Sequence, residues 1–154
     1  MRNILIVDDN RMILDSLSSF LSFKLKDCNV LTAEGGEKAI EVLRLNQVSL
    51  ILTDLEMPNV DGYEVIEYAK KNCPSAPVII MVGSWSLDLE MLVHKTGVIR
   101  FIEKPFRFED LEQIVTETLE QGTKTSRIIA SSEQTMENIL LKRTNIPEHD
   151  SACR

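Results

Sequence analysis

Four side chains in this sequence could do chemistry together: Asp8 and Asp9 are adjacent, Asp54 follows Thr53, and Lys104 directly precedes Pro105. Carboxylates bind hard cations or attack electrophiles, and an ammonium neutralises an anion held among them. Two like charges about 4 Å apart repel by roughly 4 kcal/mol at an effective dielectric of 20, so a cluster of Asp9 and Asp54 needs compensation. A divalent ion supplies it: Mg²⁺ takes oxygen ligands, is commonly held by one or two carboxylates, and keeps its other positions for water or phosphate oxygens. With such an ion and Lys104 offsetting the charge of a phosphoryl group, the Asp54 carboxylate can act as nucleophile and form an acyl phosphate. Singly, each residue has a plainer reading. Asp8-Asp9 is then a helix cap or solvated turn, Asp54 starts a turn, and Lys104 is a surface lysine where proline ends a strand.

The elements that must position these residues favour the joint reading. Apolar runs of strand length recur at Ile4 to Val7, Val30 to Ala33, Leu50 to Thr53, Val78 to Val82 and Ile99 to Ile102. Each is followed by a longer segment with helical spacing. In the first helix Ile13, Leu17, Phe20, Leu21 and Leu25 share a face; in the last, Leu111, Ile114, Val115 and Leu119 do. Alternation of this kind builds an α/β domain, a doubly wound five-stranded parallel sheet with helices on both faces. Ligands of such sheets bind beyond the carboxyl ends of the strands. Strand 1 ends in Asp8-Asp9, strand 3 in Asp54 and strand 5 in Glu103-Lys104-Pro105, so three carboxylates and one ammonium share a rim. Between strand 3 and the helix carrying Val65, Ile66 and Ala69, Met57-Pro58-Asn59-Val60-Asp61-Gly62 reads as a loop.

The domain is expected to span residues 1–121, with 122–154 a linker or tail rich in Ser, Thr, Lys and Gln. Ser131-Ser132-Glu133-Gln134 has capping-box spacing, and Met136, Ile139 and Leu140 form a short apolar stripe, so a short helix over 132–143 is predicted. Disorder is expected from Thr144 onward.

Totals narrow the function classes. A chain of 154 residues suits one domain plus a tail. No apolar run exceeds the five residues Val78 to Val82, too few to span a bilayer, and the apolar stretch after Met1 runs straight into Asp8-Asp9, unlike a secretory signal. A cytoplasmic protein with no membrane partner is expected. Cys28, Cys73 and Cys153 are scattered and form no CxxC pair, which favours reduced thiols over disulfides or zinc. Residues 1–121 hold 12 basic and 20 acidic side chains, against 5 and 4 in 122–154, which argues against direct nucleic-acid binding by the main domain. Gly35-Gly36-Glu37-Lys38 lacks the spacing of a phosphate-cradling loop, so nucleotide binding is unsupported.

Three blocks together resemble the response-regulator receiver family. They are Ile4-Leu5-Ile6-Val7-Asp8-Asp9, then Thr53-Asp54-Leu55-Glu56-Met57-Pro58 with Asp61-Gly62, and Phe101-Ile102-Glu103-Lys104-Pro105-Phe106. The match covers about residues 1–121, in the expected order and at the expected strand ends. The resemblance implies a flavodoxin-like strand order 2-1-3-4-5, with Asp54 as phosphoacceptor and Lys104 contacting the phosphoryl oxygens. It implies Mg²⁺ held by Asp8 (largely through water), Asp9, Asp54 and the Glu56 backbone carbonyl. It further implies a cis Lys104–Pro105 bond, and a histidine of a sensor kinase or phosphotransfer protein as donor. One departure stands out: Val82 replaces the family's usual Ser or Thr at the end of strand 4, where a hydroxyl couples phosphorylation to a strand-5 aromatic, here Phe101. Ser84, reached through the flexible Gly83, is a candidate substitute. Equally, Val82 can simply lengthen the strand and Ser84 cap the next helix, near Trp85, with His94 a surface residue and Phe101 a core aromatic.

Three functions follow as expectations. The first is a phosphorylation-controlled binding module acting through the face of helix 4, strand 5 and helix 5, with its downstream target unknown and a homodimer one arrangement open to it. The second is a constitutive scaffold whose switch Val82 has weakened. The third, ranked well behind, is a phosphatase of the haloacid dehalogenase type, suggested by the Asp54-Leu55-Glu56 spacing. Apart from self-catalysed phosphotransfer and autodephosphorylation, no enzyme activity is expected. A DNA-binding output is disfavoured, because 33 tail residues are too few for a winged helix.

Overall fold

The computed structural model describes residues 1–84, 86–96 and 100–121. Among them strand and helix alternate as β1 (Arg2–Asp8), α1 (Arg11–Lys24), β2 (Cys28–Glu34), α2 (Gly36–Leu45) and β3 (Leu50–Asp54). They continue as α3 (Gly62–Asn72), β4 (Val78–Val82), α4 (Leu87–Thr96), β5 (Arg100–Glu103) and α5 (Phe108–Gln121). The five strands form one sheet in the order β2-β1-β3-β4-β5, and every neighbouring pair is parallel. This is the doubly wound α/β arrangement expected from the sequence. The order turns back at β1, so the carboxyl ends of β1 and β3 lie side by side at the reversal.

Both faces of the sheet are covered, which is why its central strands read as unbroken apolar runs rather than alternating ones. All five residues of β3 and of β4 are buried. Side chains alternate between two layers. Leu5, Val7, Ile51, Val78, Ile80 and Val82 pack with Ala39 and Leu43 of α2, Val65, Ile66 and Ala69 of α3, and Leu89 of α4. Ile4, Ile6, Leu50, Leu52, Ile79, Met81 and Ile102 pack instead with Leu14, Leu17 and Leu21 of α1 and Leu111, Val115 and Leu119 of α5. Each such fully buried aliphatic chain contributes about 1.5–3 kcal/mol.

The α1 stripe is rotated slightly from its predicted setting. Leu14 is fully in the core, while Ile13, Phe20 and Leu25 pack only at its margin. Phe20 also stacks on Phe108, with ring centroids 4.8 Å apart, tying α1 to the start of α5.

Helix starts follow from local chemistry. Asn10 caps α1, its side chain accepting from the Met12 and Ile13 N–H groups, and Asp61 caps α3 by accepting from Glu64 N–H. The cap of α4 is Ser86, whose hydroxyl accepts from Leu89 N–H, and not Ser84, which is exposed two residues earlier. Both serines suit a cap; the helix begins late enough that only Ser86 stands at the right offset. Trp85, Ile99 and residues 122–154, with the predicted 132–143 helix, the segment from 144 and Cys153, lie outside the described residues, as does the side chain of His94. Cys28 is buried and Cys73 half-buried. No helix among the described residues is long and apolar enough to cross a membrane.

Candidate functional site

Strand alternation decides where the charges point. Asp8 continues the Ile4–Ile6 side of β1, Asp54 the Leu50–Leu52 side of β3, and Lys104 the Ile102 side just past β5, so all three fall on the α1/α5 side at the carboxyl edge. Asp8 and Asp54 are only 1% and 8% exposed, whereas the neighbouring Asp9 faces solvent. One carboxylate oxygen from each of Asp8, Asp9 and Asp54 lies within 4.8 Å of the other two.

Lys104 Nζ sits between two of these acids, 3.2 Å from Asp54 Oδ2 and 3.4 Å from Asp8 Oδ2. The second oxygen of each acid is held by a main-chain N–H two residues on. Asn10 donates to Asp8 Oδ1 at 2.8 Å, and Glu56 to Asp54 Oδ1 at 3.3 Å. The lysine is itself anchored by its backbone, since Lys104 N–H donates to the Val82 carbonyl at 2.7 Å, and the Lys104–Pro105 bond is cis. Two glycines let the surrounding loops close in. A Cβ on Gly62 would lie 2.1 Å from the Asp54 carbonyl oxygen, and one on Gly36 would lie 2.2 Å from that of Val60. Gly62 N–H donates to the Leu55 carbonyl, which brings α3 back against the end of β3.

The electrostatics are those of an over-acidic cluster. Burial pushes the Asp8 carboxyl above its ordinary range; the Asn10 N–H and Lys104 pull it down without cancelling the effect, and Asp54 adds to the rise. Burial also acts to lower the Lys104 pKa, but the Asp54 and Asp8 charges outweigh it and hold the ammonium above its usual value. One ammonium against three carboxylates leaves an excess of negative charge in a confined space. An all-oxygen donor set with that excess fits a hard divalent cation such as Mg²⁺.

The remaining predicted residues separate from this cluster. Val82 is 5% exposed and packs in the layer under α2, α3 and α4; Phe101 is half-buried against the same layer. Ser84 is exposed in the loop after β4, whereas Glu56, although its side chain is exposed, stays at the cluster through its main-chain N–H on Asp54 Oδ1. Asn10 went unnoticed in the sequence, although an asparagine directly before a helical stripe is a cap signal, and its N–H organises Asp8. An apolar groove of about 500 Å³ adjoins Lys104, lined by Met12, Ile13, Leu17, Pro105, Phe106 and Phe108 among others.

A doubly wound parallel sheet with a buried acid pair and a bridging lysine at its carboxyl edge defines a class of α/β domain whose acidic rim suits a hard cation. Comparison with known proteins narrows the class. The response regulator receiver domain family matches residues 4–116, and the chain belongs to that family. It is 32% identical over 120 residues to the transcriptional regulatory protein GlrR of Escherichia coli K12, covering 78% of this chain and 27% of that protein. The chain thus spans little more than a quarter of that relative's length. Among solved structures it resembles a CheY-like response regulator receiver domain protein from Methanospirillum hungatei JF-1, with 29% identity and a TM-score of 0.76 over 82% of this chain and 99% of that one. It also resembles the beryllofluoride-activated NtrC4 receiver domain dimer, with 30% identity and a TM-score of 0.69 over 79% of this chain and 99% of that one.

Proposed function

We propose that this receiver domain accepts a phosphoryl group on Asp54 from a histidine of a sensor kinase or phosphotransfer protein, and signals by changing its affinity for a protein partner. The observation that carries the reading is Lys104 bridging Asp54 and Asp8 from a strand tip 50 residues along the chain from Asp54. Asp54 attacks phosphorus through a carboxylate oxygen; the bond from phosphorus to the histidine nitrogen breaks, and the imidazole leaves with that electron pair. Lys104 contacts the transferred phosphoryl oxygens. Asp8, Asp9, Asp54 and the Glu56 carbonyl would hold Mg²⁺, which when bound offsets the charge of the phosphoryl group. The apolar groove beside Lys104 supports a protein as donor, since it offers contact surface next to the reacting carboxylate.

Treating the protein with acetyl phosphate and Mg²⁺ tests this. Intact mass should rise by about 80 Da in the wild type and not in Asp54→Asn; an unmodified wild type would end the reading. No turnover of small phosphate esters is expected, against the phosphatase alternative.

A second reading has its own observation. Val82 is buried in the apolar layer shared with Phe101, where it offers no hydroxyl. A constitutive scaffold would bind its partner equally with and without phosphate. The output contact, on the α4-β5-α5 face or between two copies, and a cytoplasmic location belong to the same proposal; likeness to a receiver dimer favours self-association.

A further inference from the structure

Thr53 is fully buried, following three buried aliphatic residues, Leu50, Ile51 and Leu52, and preceding Asp54. Its hydroxyl donates at 2.9 Å to the carbonyl of Asp54, the next residue. That carbonyl belongs to the peptide that turns the chain out of β3. Three constraints act on consecutive groups there. Thr53 Oγ1 holds the Asp54 carbonyl, the Leu55 carbonyl accepts from Gly62 N–H, and Glu56 N–H holds Asp54 Oδ1. A buried hydroxyl needs some acceptor, and another carbonyl in the strand ladder would satisfy it equally. Here the acceptor is the residue that bears the reacting carboxylate.

We infer that Thr53 is a positioning residue for phosphoryl transfer: its hydroxyl fixes the Asp54–Leu55 peptide, and through it the direction of the Glu56 main chain and of the Asp54 carboxylate. The inference rests on Asp54 being the phosphoacceptor. Without the hydroxyl, the Asp54 carbonyl loses a buried donor, the peptide is free to rotate, and Glu56 N–H no longer aligns with Oδ1. A reacting group displaced by a fraction of an ångström loses rate steeply, because transfer depends on approach in line with the bond being broken.

The test compares Thr53→Ser with Thr53→Ala in the full chain. Both lose the methyl group and share its packing loss, and only serine keeps the hydroxyl. Initial rates of phosphorylation by acetyl phosphate at saturating Mg²⁺, Mg²⁺ affinity by calorimetry and thermal midpoints are measured for each. Thr53→Ser should phosphorylate within about twofold of the wild type, while Thr53→Ala should fall by roughly tenfold or more. Mg²⁺ affinity should also drop in the alanine variant and be kept in the serine variant. Equal rates and affinities in the two variants at matched folded fraction would overturn the inference. Should wild type itself take no phosphate, the Asp54 assignment fails instead, and the serine–alanine difference in Mg²⁺ affinity still reports on the positioning role.

Discussion

Lys104 Nζ lies 3.2 Å from Asp54 Oδ2, and the same ammonium reaches Asp8 Oδ2 at 3.4 Å. One lysine therefore neutralises two largely buried acids drawn from different strands, and it occupies the oxygens that a phosphoryl group or metal would contest.

Replacing Lys104 with methionine should separate two of its effects. Breaking a buried pair by removing one partner costs about 3–5 kcal/mol, but Lys104 is 27% exposed, so a loss of about 1–3 kcal/mol is expected in metal-free buffer. Mg²⁺ should recover part of it, because the ion takes over neutralisation. Phosphorylation by acetyl phosphate should slow by at least about tenfold even at saturating Mg²⁺. Urea melts with and without Mg²⁺ and mass-resolved phosphorylation rates check both; an unchanged rate would remove Lys104 from the transfer step.

Asp8 makes stability depend on pH in a direction opposite to that of a salt-bridged surface acid. Its folded pKa lies above the ordinary value of 3.8, so the folded state binds the proton more tightly than the unfolded state does. The stability this contributes is fully present below 3.8 and is lost as pH rises through the higher folded value. Asp8→Asn should remove that loss, so in metal-free buffer the variant gains on the wild type as pH rises across this acidic window. Chemical denaturation in steps of pH measures the difference; a gap that stays constant, or closes with rising pH, counts against it.

Gly62 has no room for a side chain. Alanine there would drive its Cβ against the Asp54 carbonyl oxygen and Leu55 Cα, both main-chain groups that cannot rotate aside. Gly62→Ala should cost about 2–4 kcal/mol in denaturant melts and weaken Mg²⁺ binding, since the end of β3 must shift. A variant with wild-type stability and metal affinity would show the loop to be more accommodating than its close approach implies.

Val82→Thr tests the weakened switch. In unphosphorylated protein the new hydroxyl is buried among aliphatic groups, so stability should fall by about 1–2 kcal/mol. If the valine has uncoupled phosphate from Phe101, the threonine variant should show a larger phosphate-dependent change in self-association or partner affinity than the wild type. Sedimentation with and without beryllium trifluoride compares them. An identical response in the two proteins would leave the scaffold reading without its basis.

The sheet was legible in the sequence because its central strands, β1, β3 and β4, are buried on both faces and so appear as continuous apolar runs. β1 and β2 nonetheless extend beyond their apolar parts, since pairing of Arg2 with Cys28 and Asn3 with Asn29 continues the ladder through polar residues. The charged cluster was legible because each member stands at a strand end. Its internal arrangement was not: that Lys104 reaches Asp8 as well as Asp54 depends on the order of β1, β3, β4 and β5, which no local pattern encodes. The exchange of Ser84 for Ser86 as a cap has a local origin, as two serines near a helix start look alike until hydrogen bonds distinguish them. Thr53 carried no signal either, because a threonine in a strand is ordinary until its acceptor is known.

Alternation along the strands puts Asp8, Asp54 and Lys104 on one side of the sheet and Val82 and Phe101 on the other. Under the proposed function, receipt of a signal and its onward display are thereby divided by a wall one peptide thick, and the Lys104 N–H to Val82 carbonyl bond lies within that wall, joining the end of β4 to the residue just past β5. Loops on either side can gain or lose residues without disturbing that division. A single-residue insertion inside β3 or β4 would instead turn an acid or an aliphatic through the wall, so descendants of this chain should vary in loop length far more freely than in strand length.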